Sequence, residues 1–363
     1  MSEFEHKQEQ LRALLESNHL GALVLTRVSS FAWATCGASS YVNTAASVGV
    51  ASLVITPEAH YVVTNNIEAL RLEKEEGLSE QGWEFVVTPW YENNEGIQKI
   101  THGLKLGADH AAAGGLDLSI EMARLRSQLS IQEVERFRLL GKECAAAIEE
   151  VVRAIKPEQS ERDITASLAQ QSERRGVQPI VMLVATDERV FSYRHPLPKD
   201  KKLDRYVMVI LCGRKWGLVC SITRSLHFGK LPDDLHHKMD AAAFVDATFL
   251  ANTRPGRTLG SIFAQAVDAY ASRGYPGEWK LHHQGGSAGY EPREFVAVPG
   301  MAERVLPGQA YAWNPSIQGA KSEDTILVAE EKNEILTRIP GWPEIPVTVN
   351  EQTYLRPAIL EVT

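Results

Sequence analysis

Three stretches of this sequence place ionisable side chains inside runs that otherwise read as buried strand: 192–198 (SYRHPLP), 282–294 (HHQGGSAGYEPRE) and 313–325 (WNPSIQGAKSEDT). In the first, His195 lies between Arg194 and Pro196, and the fixed φ of proline imposes a turn or extended backbone that aims the imidazole into a cleft. An exposed loop histidine is the plain alternative. In the second, His282 and His283 precede Gly285 and Gly286, which let backbone approach a ligand closely or form a bulge. Here the plain alternative is a core histidine held by a backbone carbonyl. Glu291, Arg293 and Glu294 straddle Pro292. In the third, Glu323 and Asp324 are neighbours in a strand, so their side chains leave opposite faces and at most one enters a given cleft. Imidazoles beside carboxylates are the equipment of general acid–base catalysis.

The elements that must position these groups follow from the apolar pattern. The first third alternates helix and strand: a charged amphipathic helix near 4–18, a strand at GALVLT, and a strand pair in VASLVITPEAHYVVT turning at Pro57. A helix at 67–76, a strand in WEFVVTPW, a helix near 93–104, a strand at LKLGAD and a helix or linker in LDLSIEMARLRSQL complete it. Such alternation predicts an α/β layer domain. From Ile131 the spacing becomes helical until Lys156-Pro157, and a second helix covers 160–175. Strands PIVMLVAT, RYVMVILCG and LVCSITRSLHFG follow, then helices at 233–252 and 258–273, then strands near 294–299, 309–314 and 323–337. Segregated helices and strands predict an α+β domain. The expected division is a domain over 1–129 and another over 130–363.

Composition narrows the function classes. At 363 residues, with 44% hydrophobic and 23% charged residues, the chain suits two globular domains. The net charge of -8 is spread along the chain without a basic run that would track a phosphate backbone, so nucleic acid is not an expected partner. No run of 18 apolar residues occurs, so neither is a membrane. Cys36, Cys144, Cys212 and Cys220 show no CxxC spacing and the N-terminus (MSEFEHKQEQ) is charged, which predicts reduced thiols and a cytoplasmic protein.

Over nearly its whole length the chain resembles the pita-bread hydrolases, which include creatinase, aminopeptidase P, prolidase and methionine aminopeptidase. RVSSFAWATCGASSYVN and YVVTNNIEALRLEKEE look like the creatinase-type N-terminal domain. SIQEVERFR, His195, SITRS, HHQGGSAGYEPRE, LPGQAYAWNP and GAKSEDTILV match the C-terminal landmarks in order. The resemblance implies a C-terminal pita-bread domain preceded by a smaller α/β domain. It also implies five ligands for two divalent ions, and here most of them are changed. The first Asp falls on Leu211 and the second on Ser221, the His is kept as His283, one Glu becomes Asn314 and the other is kept as Glu323. The stretch 206–232 contains no Asp or Glu, so no shift of alignment restores the first two. Two hard cations held together need several anionic oxygens, so no metal cofactor is expected. A single softer ion on His195, His283, Glu291 and Glu323 is an alternative.

Creatinase implies that chemistry survives the loss of metal, with a histidine at the position of His195 as proton shuttle. The expected function is therefore metal-independent hydrolysis or lysis of a C–N bond in a small polar amide, guanidino or peptide-like substrate. His195 or His283 acts as the base, Glu323 or Glu291 fixes its tautomer, and Asn314 with Arg224 donates hydrogen bonds to developing charge. Ser221, Tyr290, Arg293 and Lys321 complete the expected pocket. Arg27 and Trp33 are candidates, by position, for the contribution that a partner subunit's N-terminal domain makes in a homodimer. The competing classes are a non-catalytic binder of peptides or a protein partner, and an Xaa-Pro peptidase-like metalloenzyme with altered ligands.

Overall fold

A computed structural model describes residues 1–92, 95–111 and 114–363. Contacts divide the chain into two units, Met1–Gln132 with Trp216–Leu218, and Glu133–Lys215 with Val219–Thr363. Among the described residues no helix is long and apolar enough to cross a membrane.

The first unit runs α1 (Glu3–Ser17), β1 (Ala22–Arg27), α2 (Val28–Ala34), β2 (Val48–Ile55), β3 (His60–Asn65), α3 (Ala69–Lys74), β4 (Glu84–Thr88), α4 (Glu95–Thr101), β5 (Leu106–Ala108), β6 (Leu116–Asp117) and α5 (Ser119–Ser127). Its single sheet has the order β4-β3-β2-β1-β5-β6. The run ALVLT of β1 is buried throughout because the strand is central: it pairs antiparallel with β2 on one side and parallel with β5 on the other. The residues 28–34, to which the sequence pattern assigns no element, form α2, and all seven are buried. A helix covered on every side has no polar stripe, so no period of 3.6 appears in its sequence. The helix expected at 93–104 is described from Glu95 to Thr101, and residues 93 and 94 lie outside the described residues.

The second unit runs α6 (Ile131–Ala154), α7 (Glu161–Glu173), β7 (Gln178–Thr186), α8 (Glu188–Ser192), β8 (Tyr206–Lys215), β9 (Leu218–Phe228), α9 (Asp233–Asn252), α10 (Leu259–Ser272), β10 (Gly285–Ala288), β11 (Phe295–Val296), β12 (Ala310–Trp313), β13 (Ser316–Ile317), β14 (Ala320–Lys321), β15 (Asp324–Leu327), β16 (Glu334–Ile335), β17 (Glu344–Val349), β18 (Gln352–Pro357) and β19 (Leu360–Val362). Two sheets dominate, β19-β9-β8-β7 and β11-β10-β12-β15-β16. The long strand expected over 323–337 is two short strands, β15 and β16, and β17 to β19 are additional to the sequence-based expectation.

A large core, with Phe249, Tyr270, Tyr311 and Trp313 among its members, joins α9 and α10 to the strands. Phe249 stacks on Trp313 at 4.3 Å between ring centroids, an aromatic pairing that adds to the burial of both rings. One glycine is indispensable to this packing: Gly285 has φ +98, and a Cβ on it would fall 2.2 Å from the Ala312 carbonyl oxygen. Strands β10 and β12 run antiparallel and approach there without side chains between them, which brings the segment before β10 alongside the segment after β12.

Candidate functional site

The β8–β9 hairpin sets the register of the pocket floor. Trp216 and Gly217 both have positive φ, +52 and +78, the backbone of a two-residue type I′ turn. Such a turn pairs Lys215 with Leu218 and, three steps back on each strand, Cys212 with Ser221. Their side chains meet accordingly, with Cys212 Sγ 3.3 Å from Ser221 Oγ. The sequence reading puts the family's first Asp at Leu211 and its second at Ser221. Leu211 is one residue out of phase with Ser221 and fully buried, and it is its strand neighbour Cys212 that faces Ser221. Burial, followed by the nearby Glu323 charge, pushes the Cys212 thiol up, so it is a neutral thiol.

Alternation along β9 places Ser221 and Thr223 on the pocket side and Ile222 and Arg224 on the other. Glu323 is the carboxylate of the pocket. It accepts from Lys321 Nζ at 2.7 Å, Thr223 Oγ1 at 2.6 Å and Arg293 Nη2 at 3.2 Å. Burial alone would raise its pKa, but the charges of Lys321 and Arg293 and the hydrogen bonds from Lys321 and Thr223 outweigh it and hold the group below its ordinary value. Arg293 Nη1 also donates to Ser221 Oγ at 3.1 Å, linking the hairpin to the carboxylate. One anion thus stands between two fixed cations.

Asp324 leaves the opposite face of the chain. It accepts from Arg224 Nη2 at 2.8 Å, Arg356 Nη2 at 2.6 Å and Thr337 Oγ1 at 2.7 Å, while Arg356 Nε donates to Asp246 at 2.8 Å. This is where Arg224 resides. The sequence reading gave it a substrate-binding role, but its guanidinium is committed to a buried ion network on the far side of Glu323.

Three imidazoles form the remaining wall. His195 reaches in from the loop after α8, and His282 and His283 from the approach to β10. His282 Nε2 lies 3.1 Å from His195 Nε2, and His282 Nδ1 lies 3.0 Å from Ser316 Oγ. Ser316 Oγ accepts from Arg194 Nη1 at 3.0 Å, and Arg194 in turn pairs with Glu278. One nitrogen of each ring can be chosen so that all three lie within 4.8 Å of one another. Desolvation, helped by Lys321, lowers His195 from its ordinary value. It lowers His282 to about 2, with Lys321 and the two neighbouring imidazoles contributing, and His283 to about 4, with Arg293 contributing. All three rings are neutral at pH 7. His282 is the residue that sequence reasoning passed over, because buried histidines are common in cores; its partners are a hydroxyl and an imidazole rather than a backbone carbonyl.

Among the other expected residues, Asn314 is buried at the pocket, 3% exposed, with an Oδ1 that has no partner among the described residues. Tyr290 is 2% exposed and its hydroxyl donates to Glu133 Oε1 at 2.6 Å, which ties it to α6. The backbone N–H groups of Tyr290 and Glu291 both donate to Glu294 Oε1, at 2.9 and 3.1 Å. Trp33, in the first unit, is 1% exposed with Lys7 over its ring, so it is a core residue and corrects the expectation of a substrate contact. Arg27, in the same unit, donates its backbone N–H to Asp109 Oδ2 at 2.8 Å.

The donor set does not fit the two divalent ions that the family resemblance implies. At the five positions that the resemblance aligns with ligands, Leu211, Ser221, His283, Asn314 and Glu323, and at Cys212 beside Ser221, there is a single carboxylate. That carboxylate is already engaged by an ammonium and a guanidinium, which repel a further cation.

Residues 135–330 match the sequence profile of metallopeptidase family M24. An uncharacterized peptidase of Staphylococcus aureus (strain MW2) is 26% identical over 238 residues, and the aligned region spans 62% of this chain and 66% of that relative, just under two thirds of its length. The fold is similar to an Xaa-Pro dipeptidase from Bacillus anthracis, with a TM-score of 0.79, 18% identity and coverage of 99% of this chain and 100% of that one. It is also similar to a prolidase from Pyrococcus horikoshii OT3, with a TM-score of 0.77, 19% identity and coverage of 92% and 98%. At these identities the two structures establish the fold, a C-terminal pita-bread domain preceded by a smaller α/β domain.

Proposed function

This chain belongs to metallopeptidase family M24, and from that premise we propose that it hydrolyses a C–N bond of a peptide-like substrate without the family's pair of ions. One observation carries the reading: the positive charge that two ions bring to such a pocket is supplied by Lys321 and Arg293, 2.7 and 3.2 Å from Glu323. Fixed cations in a site sheltered from water stabilise negative charge where it develops, with no reorganisation at the moment of reaction.

The histidines supply the base. With the shared hydrogen on His195 Nε2, His195 donates to His282 Nε2, His282 Nδ1–H donates to Ser316 Oγ, and the His195 Nδ1 lone pair is left to take a proton from water. Water oxygen adds to the amide carbon, Lys321 and Arg293 face the developing oxyanion, and the proton held by His195 passes to the leaving nitrogen as the C–N bond breaks. The same two cations disfavour a guanidinium substrate, which is positively charged, and favour a neutral or anionic amide.

The experiment is hydrolysis of Xaa-Pro dipeptides, other short peptides and creatine by chelator-treated protein, with and without manganese. Turnover of a peptide that survives chelation and is not raised by manganese supports the reading. Turnover that appears only with manganese overturns it.

A further inference from the structure

Beyond the hydrolytic reading, we infer that His195, His282 and His283 form a binding site for one transition-metal ion of the zinc class, which shares only His283 with the ligands that the family resemblance implies. Four observations carry it. The nitrogens converge: His195 Nε2 and His282 Nε2 are 3.1 Å apart, and one nitrogen of each of the three rings can be chosen so that all lie within 4.8 Å of one another. Two zinc-bound imidazole nitrogens, each about 2.0–2.1 Å from the ion in tetrahedral geometry, stand about 3.3–3.4 Å from each other. The observed gap is short of this by a fraction of an ångström, and the exposed side chains of His195 and His283 are free to rotate by that amount.

The outer contacts are those of a ligand. His282 Nδ1 is hydrogen-bonded to Ser316 Oγ, and Ser316 is held in turn by Arg194. A hydrogen bond on one ring nitrogen fixes the tautomer that presents the other to an ion. The ligand type selects the ion: three imidazoles with no carboxylate among them suit zinc, cobalt, nickel or copper rather than manganese or magnesium. The location overlaps the implied family site at His283 alone: His195 and His282 are not among its ligand positions, and Glu323, which is, is occupied by Lys321, Arg293 and Thr223.

The ion site and the hydrolytic reading make opposite demands on His195. An ion on Nε2 leaves the hydrogen on Nδ1, the atom that accepts the proton in the proposed reaction. Zinc therefore inhibits where the family resemblance would have a metal activate.

The test uses the full chain, stripped with chelator and titrated with cobalt and with zinc. The expected result is one equivalent bound, a visible cobalt spectrum of tetrahedral intensity, and displacement of cobalt by zinc. His195→Gln, on an exposed loop, and His282→Gln each weaken binding by more than about 100-fold, whereas Asn314→Ala leaves it within about 3-fold. Circular dichroism and a thermal melt establish that each variant is folded, and His195→Gln decides the matter if His282→Gln is not. Two equivalents, one equivalent indifferent to both histidine substitutions, or no saturation below millimolar ion would overturn the site. The cobalt spectrum decides it whatever the activity assay gives; absence of turnover in every sample sinks the hydrolytic reading alone, and activation by zinc removes His195 as the base.

Discussion

Glu323 and Asp324 are consecutive, both buried, both ionic, and they have opposite surroundings. Asp324 belongs to a network in which two arginines, Arg224 and Arg356, face two aspartates, Asp246 and Asp324, with Thr337 also donating to Asp324 Oδ1. Glu323 stands alone between Lys321 and Arg293, with three neutral imidazoles beyond them. Orphaned atoms do not separate the two regions, since among the described residues Arg224 Nε and Asp246 Oδ1 lack partners on one side just as Arg293 Nε and Asn314 Oδ1 do on the other. Charge balance does separate them. A network whose charges cancel anchors strands; a pocket left with a surplus of fixed positive charge invites an anion, a developing one included. The difference teaches that the number of buried polar groups says little about function, while their net charge says a good deal.

The sharpest way to break this comparison is to move a carboxylate by one residue. Leu211→Asp places an unpaired charge in a fully closed core and is expected to cost more than about 4 kcal/mol, enough to unfold the chain or nearly so. Cys212→Asp places the same group beside Ser221, where Arg293 and Lys321 offset the opposing charge of Glu323, and is expected to fold. Urea titration of both variants reads the difference; equal destabilisation would undo the register assigned to the hairpin. Next in size, Arg356→Met leaves Asp246 and Asp324 without their shared cation and is expected to destabilise by about 3–5 kcal/mol. If the loss is under about 1 kcal/mol, the network is not an anchor.

On the pocket side, Lys321→Met retains the Arg293 and Thr223 contacts to Glu323. It is expected to lower turnover by about 100- to 1,000-fold while changing stability less than Arg356→Met does. Unchanged turnover in a folded Lys321→Met protein would remove the fixed-cation argument. The smallest effect is in pH. Desolvation chiefly, then neighbouring positive charge, holds His282 at about 2 and His283 at about 4, below the ordinary histidine value near 6.5 that the unfolded chain keeps. The unfolded chain therefore binds protons first as the solution is acidified. The stabilisation from the neutral rings is complete above pH 6.5 and is lost on descending from 6.5 through 4 for His283 and further for His282. Burial raises the carboxyls of Glu76 and Asp246, so the fall in melting temperature between pH 6.5 and 5 is not the histidines' alone; the part that His282→Gln removes is His282's, and that variant is expected to flatten the slope. An unaltered slope would mean that His282 is not held neutral.

Much was legible in the sequence because it depends on local pattern. The long amphipathic run of α6, the strand pair around Pro57 and the helices α9 and α10 follow from spacing, and the order of the C-terminal landmarks identifies the family. The opposite faces of Glu323 and Asp324 follow from strand alternation alone. What the pattern concealed were features fixed by partners distant in sequence. Arg224 reads as a pocket residue until Asp324 and Thr337, more than 90 residues away, are seen to claim it. Trp33 reads as a substrate contact until its burial is known.

The sequence by itself determined that the stretch 206–232, where the resemblance implies the family's two Asp ligands, holds no carboxylate in any register. Only the tertiary structure decided what replaced them. The turn at Trp216 and Gly217 fixes the phase that brings Cys212, not Leu211, opposite Ser221. The close approach of β10 to β12 at Gly285 brings the loops of His282 and Ser316 together with that of His195. A side chain's chemistry is written in its residue type, but the charge and the tautomer it presents are set by neighbours that a linear pattern does not bring within hydrogen-bonding distance.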